Sequence, residues 1–456
     1  MIRLVVRGTK MGWNRLFSLR SYIKSSLWLV PFVALLLYVA AIRLVYFFEQ
    51  WLIWLEPWPW GVAGSQRLLE TIITMTLTFV VFTFGSLLVA IQVAGGQLTP
   101  RIIATTLLRD NAIRFTVGLF IFTLLFATGA LARLETDVHH KVVAIAGLLG
   151  FLSIAGFLYL IDYAARLLRP VSIVARVSDE GRKVIERLYP ILATEESGSG
   201  ADSVGPKDSP DKIVLYKGRP AIIVAVNRNA LLAEAERSHC VIELVPRIGD
   251  FIASDEPLFL LYGDRFPKEA TLKTMIAFGQ ERSLEQDVTF AFRIIVDIAI
   301  KALSKAINDP TTAVLAIDQL QRLLCLVGKR SLRGERIRNR SGELKVVCRM
   351  PSWDDFVKLT FSEIRLYGAE NFQIARRLHA VLEYCLQVLP AARRPALEQE
   401  LELLDRQLQE LFRFPEDLEL AKTADTQGLG SAKFPARRAL APVDPPIETS
   451  LSHRVP

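Results

Sequence analysis

Residues 68–94 read LLETIITMTLTFVVFTFGSLLVAIQVA. After Glu70 this run carries no ionisable side chain. At about 1.5 Å per helical residue it outreaches the hydrocarbon core of a bilayer, which is roughly 30 Å thick. Three further stretches, Leu27–Phe48, Ile113–Ala132 and Val142–Ala165, are apolar over comparable lengths. The expected fold is therefore a four-helix transmembrane domain over residues 27–165, followed by a cytoplasmic α+β region. The first stretch does not read as a cleaved signal peptide. Twenty-six residues precede it, and its apolar run continues through Leu44-Val45-Tyr46-Phe47-Phe48, too long for such a segment.

Composition agrees. Of the 456 residues 51% are hydrophobic and 22% charged, with a mean hydropathy of +0.30, which excludes a disordered or collagen-like chain. The four Cys (240, 325, 348, 385) form no CxxC pair, which argues against a disulfide-stapled scaffold and a clustered zinc site. The net charge of +8 is unevenly spread. Residues 1–165 hold 13 Lys+Arg against 7 Asp+Glu, and the remainder holds 42 against 40. The surplus thus flanks the apolar segments, where it orients helices, so nucleic acid is not an expected partner.

Residues 1–26 form a basic N-terminus with six Lys/Arg (Arg3, Arg7, Lys10, Arg15, Arg20, Lys24) and no acid. Arg166, Arg169, Arg176, Arg182, Lys183 and Arg187 follow the last apolar stretch. The positive-inside rule places both termini in the cytoplasm, and Trp51, Trp54, Trp58 and Trp60 suit the outer interface. Arg43 lies near an outer helix end and Asp162 near an inner one, so neither is a midplane proton relay. The second apolar stretch is the polar one. Its Thr71, Thr74 and Thr78 share a helical face. Such hydroxyls bond within and between packed helices, or they can line a path for a solute. After it, Gly95-Gly96 is expected to end the helix, with Gln97 beyond it, Thr99 as a cap and Pro100 at the first position of a short helix from Arg101 to Arg109.

Beyond the membrane, residues 166–211 are expected to form a helix continuing off the bilayer and a Ser/Gly/Asp/Pro linker, and 212–263 a small β module. Residues 245–261 (VPRIGDFIASDEPLFLL) resemble the hairpin of biotinyl/lipoyl-type modules. The carrier lysine is missing, so that resemblance implies a small β fold without a swinging arm. Residues 264–420 are expected to be a helical cytoplasmic domain. Within it Glu285–Ile307 carries Val288, Ala291, Phe292, Ile295, Ile298 and Ala299 on one face. Asn308-Asp309-Pro310 breaks that helix and starts another that runs to about Val327. This corner is either capping chemistry, or Asp297, Asn308 and Asp309 form a polar cluster for an ion or a partner. Lys329–Arg340 reads as a basic loop, Lys345–Arg349 as a strand, and Trp353–Leu389 as two helices broken near Gly368. The 4-3-4-3 spacing of Leu397, Leu401, Leu404, Leu408 and Leu411 indicates intramolecular packing, and 421–456 a disordered tail.

Catalytic signatures are absent from the sequence. No GxSxG, HExxH, GxGxxG or GxxxxGK[ST] occurs, His139 adjoins His140 in a short loop, and His239 and Cys240 are placed in a strand facing opposite ways. No cofactor is expected, and an enzymatic role has no motif behind it.

The chain nevertheless resembles one family over nearly its whole length to about residue 412. The motifs are LLVAIQVAGGQLTPR (87–101), RIGDF (247–251), DIAIKALSKAINDPTTA (297–313) and IRLYG (364–368). They resemble those of a bacterial family of predicted membrane proteins, domain of unknown function 2254. Lys305 stands where the family pattern has Pro. The resemblance implies the architecture and a bacterial inner-membrane location, and it brings no activity with it. The expected partners are the lipid bilayer and further copies of the chain. A passive channel, transporter or sensor with a cytoplasmic regulatory domain is the first functional expectation, and a non-transporting scaffold the alternative.

Overall fold

The computed structural model describes residues 12–17, 29–47, 61–97, 110–134, 140–167, 169–193, 209–332 and 335–428. Four apolar helices come first: α1 (Leu29–Phe47), α2 (Val62–Gln97), α3 (Asn111–Leu131) and α4 (His140–Leu167). Three of them are long and apolar enough to cross a membrane, at Val62–Gln92, Asn111–Leu131 and His140–Arg166. The described part of the first segment yields a shorter apolar stretch, Phe32–Ala41. Three spans rather than the expected four therefore stand on length and composition.

The bundle packs through small residues, as expected where lipid supplies no hydrophobic drive between helices. α1 lies along α3, where a Cβ at Gly129 would overlap the Tyr38 ring. Leu69, Ile72, Phe126, Ala127, Val143 and Ala146 form one buried cluster, and Ile113, Val117, Phe120 and Leu160 another. Between the helices the buried Ser153 hydroxyl donates to the buried Thr123 hydroxyl over 3.0 Å. Phe115, Phe151 and Leu158 of α3 and α4 point outward, as a lipid-facing surface requires. Gly95-Gly96 does not end α2, which runs on to Gln97. Glycine in a helix costs only about 1 kcal/mol relative to Ala, less than is needed to stop a helix this long.

α5 (Pro170–Leu188) begins anew two residues after α4. It is no mere stalk. Ile173, Val174, Val177, Val184 and Ile185 are buried in the largest core of the protein. There α5 packs against α8 (Val288–Ala302) and α9 (Pro310–Gly328). Around them stand α10 (Trp353–Gly368), α11 (Phe372–Val388), α12 (Arg394–Leu411) and α13 (Pro415–Lys422). α8 is the central rod. Ile294, Ile295 and Val296 are all fully buried although they face different sides of the helix. Leu397, Leu404 and Leu408 bury α12 against the same core, so the leucine spacing serves intramolecular packing.

The β elements are β1 (Lys212–Leu215), β2 (Ala221–Val226), α6 (Arg228–Ser238), β3 (Val241–Leu244), β4 (Phe251–Ile252), β5 (Pro257–Tyr262), α7 (Glu269–Lys273), β6 (Ile276–Gly279), β7 (Glu335–Arg338) and β8 (Leu344–Cys348). They form a five-stranded sheet ordered β1-β5-β3-β8-β7 and a three-stranded sheet ordered β4-β2-β6. Among the described residues only β3 and β8 pair in parallel. The expected boundary at residue 263 thus cuts through the sheets, because β6, β7 and β8, the last of them the strand expected at 345–349, come from beyond it. Part of the basic run at 329–340 is the edge strand β7 rather than loop. The expected hairpin at 245–261 does not form: β4 pairs with β2 and β5 with β1 and β3, in different sheets. His239 is also misplaced by the sequence reading. It caps the C-terminus of α6 in the left-handed region at φ 52°.

Two loop motifs join sheet and helices. Gly249, at φ +94°, lies against the Asp287 carboxylate, where a Cβ would collide. Asp250 accepts from the backbone N–H of Arg247 at 2.8 Å, and the Arg247 guanidinium reaches Asp355 at the start of α10 over 3.0 Å. The chain from Pro415 to Gly428 is likewise part of the packed structure. Ala421 is buried, Arg376 Nε donates to the Thr423 carbonyl at 3.0 Å, and Gln373 Nε2 donates to the Gly428 carbonyl at 2.6 Å. The expected tail therefore does not begin at 421.

Candidate functional site

Three polar side chains from three helices meet where the membrane bundle joins the remaining domain. Asp110 precedes α3, and a helix start leaves backbone N–H groups without partners. Its Oδ1 accepts from the Ala112 N–H at 2.9 Å, as an N-cap does. Its Oδ2 accepts from the Tyr163 hydroxyl of α4 at 2.5 Å and from Arg176 Nη1 of α5 at 2.7 Å. Arg176 Nη2 closes the triangle by donating to the Tyr163 oxygen at 3.3 Å. The Asp110 side chain is 5% exposed and that of Arg176 35%.

Burial alone would push the Asp110 carboxyl up. The Tyr163 and Arg176 hydrogen bonds outweigh it and hold the group below its ordinary value. Burial likewise opposes the charge on Arg176, and the bonds to Asp110 and Tyr163 reverse that shift to an upward one. Both partners are thus ionised at neutral pH. Three donors already occupy most of the carboxylate's acceptor positions, so it is built to hold elements together rather than to take a proton from a substrate. Two membrane helices and the first helix of the large core are joined at one charged point.

The residues singled out in the sequence are spread elsewhere. Thr74 and Thr78 lie on the exposed side of α2, each hydroxyl donating to its own helix, to the Glu70 carbonyl at 2.9 Å and the Thr74 carbonyl at 2.8 Å. Gln97 is the last residue of α2, with its side chain outside the described residues, and Arg101 lies wholly outside them. Asp297 pairs with Arg293, whose guanidinium also grips Glu363 on α10. Asn308 holds φ 48°, a conformation Asn tolerates, and its N–H donates to the Ser304 carbonyl at 2.8 Å. Asp309 caps α9 by accepting from the Thr312 N–H at 3.1 Å. Asp297 and Asp309 are therefore engaged with different partners. We expect Asp309→Ala to lower stability by about 1 kcal/mol, read as a lower Tm in detergent, as loss of a cap does. An unchanged Tm would contradict the capping role.

Sequence reading missed Asp110 and Tyr163, and it counted Arg176 only as an orienting charge. One local signal existed, an Asp standing immediately before an apolar span. A groove of about 360 Å³ lies between α10 and α12, lined by Asp354, Lys358, Ser362, Glu363, Gln399 and Glu400 among others. Its Glu363 and Glu400 are already paired with Arg293 and Arg365. Among the described residues no group of three or more His, Cys, Asp or Glu could hold a metal ion.

No solved structure matches the chain. It is similar to uncharacterised proteins of Mycobacterium tuberculosis and Mycobacterium bovis, at 26% identity over 377 residues, covering 77% of this chain and 70% of each relative. Residues 24–384 match the family model described as predicted membrane protein, so the chain belongs to that family, DUF2254.

Proposed function

We propose that the protein is a homo-oligomeric, four-span protein of the bacterial inner membrane with both termini in the cytoplasm. In this reading α2 helices of neighbouring subunits surround a passive path for a small ion or solute. The extramembrane domain regulates that path through the Asp110–Tyr163–Arg176 junction. The observation that carries the reading is the outward placement of Thr71, Thr74 and Thr78, on a side of α2 that the other described residues leave uncovered. A polar stripe on a membrane helix is best placed against a neighbouring subunit or water. α1 supports the fourth span: it lies along α3 and, at about 1.5 Å per residue, its 19 residues nearly match a roughly 30 Å core.

A scaffold without transport is the second reading, favoured by one observation. The hydroxyls of Thr71, Thr74 and Thr78 already donate to their own backbone, so a dry interface would leave no donor unmade. Reconstitution in liposomes separates the two. The path reading expects ion flux that Thr74→Leu with Thr78→Leu abolishes, and an oligomer by mass in detergent. No flux across common ions together with a monomer sinks it, whereas an oligomer without flux leaves the scaffold. Cysteine labelling tests the orientation: positions 61 and 139 should react from outside and 199 only from inside.

A further inference from the structure

Two of the four thiols come together in the helical core. Cys325, near the end of α9, and Cys385, on α11, are 60 positions apart in the chain, and their sulfurs lie 3.7 Å from each other. Cys385 is fully buried and Cys325 half-buried, so only one of the pair is open to a small reagent. A disulfide needs sulfurs about 2.05 Å apart, so closing the bond asks for a shift of under two ångströms between helices already in contact. Cys240 and Cys348 are both buried, Cys240 just before β3 and Cys348 in β8 opposite Leu244 and Glu335.

We propose that Cys325 and Cys385 are a redox-active thiol pair, oxidised by peroxides to a reversible disulfide that staples α9 to α11. Cys325 is the attacking group. The hydrogen bond from Cys385 lowers its thiol below the ordinary value, Lys329 adds to this, and burial opposes it. The Cys325 thiolate attacks one oxygen of the peroxide, the O–O bond breaks, and the other oxygen leaves as hydroxide or alkoxide. The product is a sulfenic acid on Cys325. The Cys385 sulfur then attacks that sulfur, the S–O bond breaks, and the oxygen leaves as water with the Cys385 proton. Two thiols lose two electrons and the peroxide gains them. The staple closes a loop that contains β7, β8 and α10 and ties α9, on which α5 and its Arg176 rest, to the helix that holds Thr423 and Gly428.

The test uses the full chain in detergent. Native protein is treated with hydrogen peroxide, free thiols are alkylated, and the digest is read by mass spectrometry. A Cys325–Cys385 cross-linked peptide that a phosphine reductant reverses is expected, with Cys240 and Cys348 alkylated only after unfolding. The oxidised protein should melt several degrees higher than the reduced one. In Cys385→Ser the sulfenic acid on Cys325 should persist and be trapped by dimedone, and Cys325→Ser should show no adduct at Cys385. The cross-link needs no variant, so it remains decisive even if a serine variant folds poorly. Peroxide that leaves both thiols free in folded protein, or a cross-link through Cys240 or Cys348, would overturn the proposal.

Discussion

Replacing Arg176 with Met is expected to lower the stability of the protein by about 2 kcal/mol. The Asp110 carboxylate would remain buried beside Tyr163 without its cation. Breaking a fully buried pair costs roughly 3–5 kcal/mol, and the partial exposure of Arg176 reduces that. Melting in detergent measures the loss, and hydrogen exchange should show reduced protection at the start of α5, where the domain is held to the bundle. Wild-type Tm and unchanged exchange in Arg176→Met would remove the junction from consideration.

The same site sets a pH dependence whose sign follows from the shift. The folded-state carboxyl of Asp110 sits below its unfolded value, so its contribution is complete above about pH 4 and is lost as pH falls through the folded value. Asp110→Asn keeps the shape but titrates in neither state. Its stability relative to wild type should therefore be lowest at neutral pH and improve as the medium is acidified below about pH 4. A constant difference across that range would show that the charge contributes nothing.

The second large effect lies one turn and a half further along α5. A Cβ at Gly181 would lie 2.8 Å from the Ala291 Cβ of α8 and 3.3 Å from the Leu323 side chain of α9. Gly181→Leu forces a whole side chain into that contact and is expected to cost about 3 kcal/mol or more, the upper end for overpacking. The milder Gly181→Ala should be partly rescued by Ala291→Gly, because the second change removes the very atom the first one strikes. Failure of that rescue, read from Tm values of the single and double variants, would mean that α5 does not pack where these distances place it.

Much of this architecture is written locally. The run at 68–94 requires a helix wherever it enters lipid, since no other open structure satisfies its backbone there. Although α8 stops at Ala302, eight positions before the Pro that was expected to break it, the start of α9 also follows from its own residues, as Asp309 caps it and Pro310 suits its first position. So does the start of α10, where Ser352 and Asp355 form a reciprocal capping box. In each case the partners lie within a few positions, so composition and spacing suffice. α5 is helical over residues 170–188 as expected, but the break after α4 and the core that it enters were not legible. Its apolar face at 173, 174, 177, 184 and 185 shows that something must cover it, but says nothing of what.

The amino-acid sequence by itself thus determined the membrane class, most helix ends and the family, because hydrophobicity and capping act between a residue and its immediate surroundings. Only the tertiary structure decided that β3 pairs in parallel with β8 from a distant part of the chain, which merges the expected β module with the helical region. It alone placed Asp110 against Arg176, 66 positions away, and Cys325 against Cys385, 60 away. A lone Asp, Arg or Cys has no periodicity, and its partner is chosen by how helices cross, which is a property of the packed core as a whole.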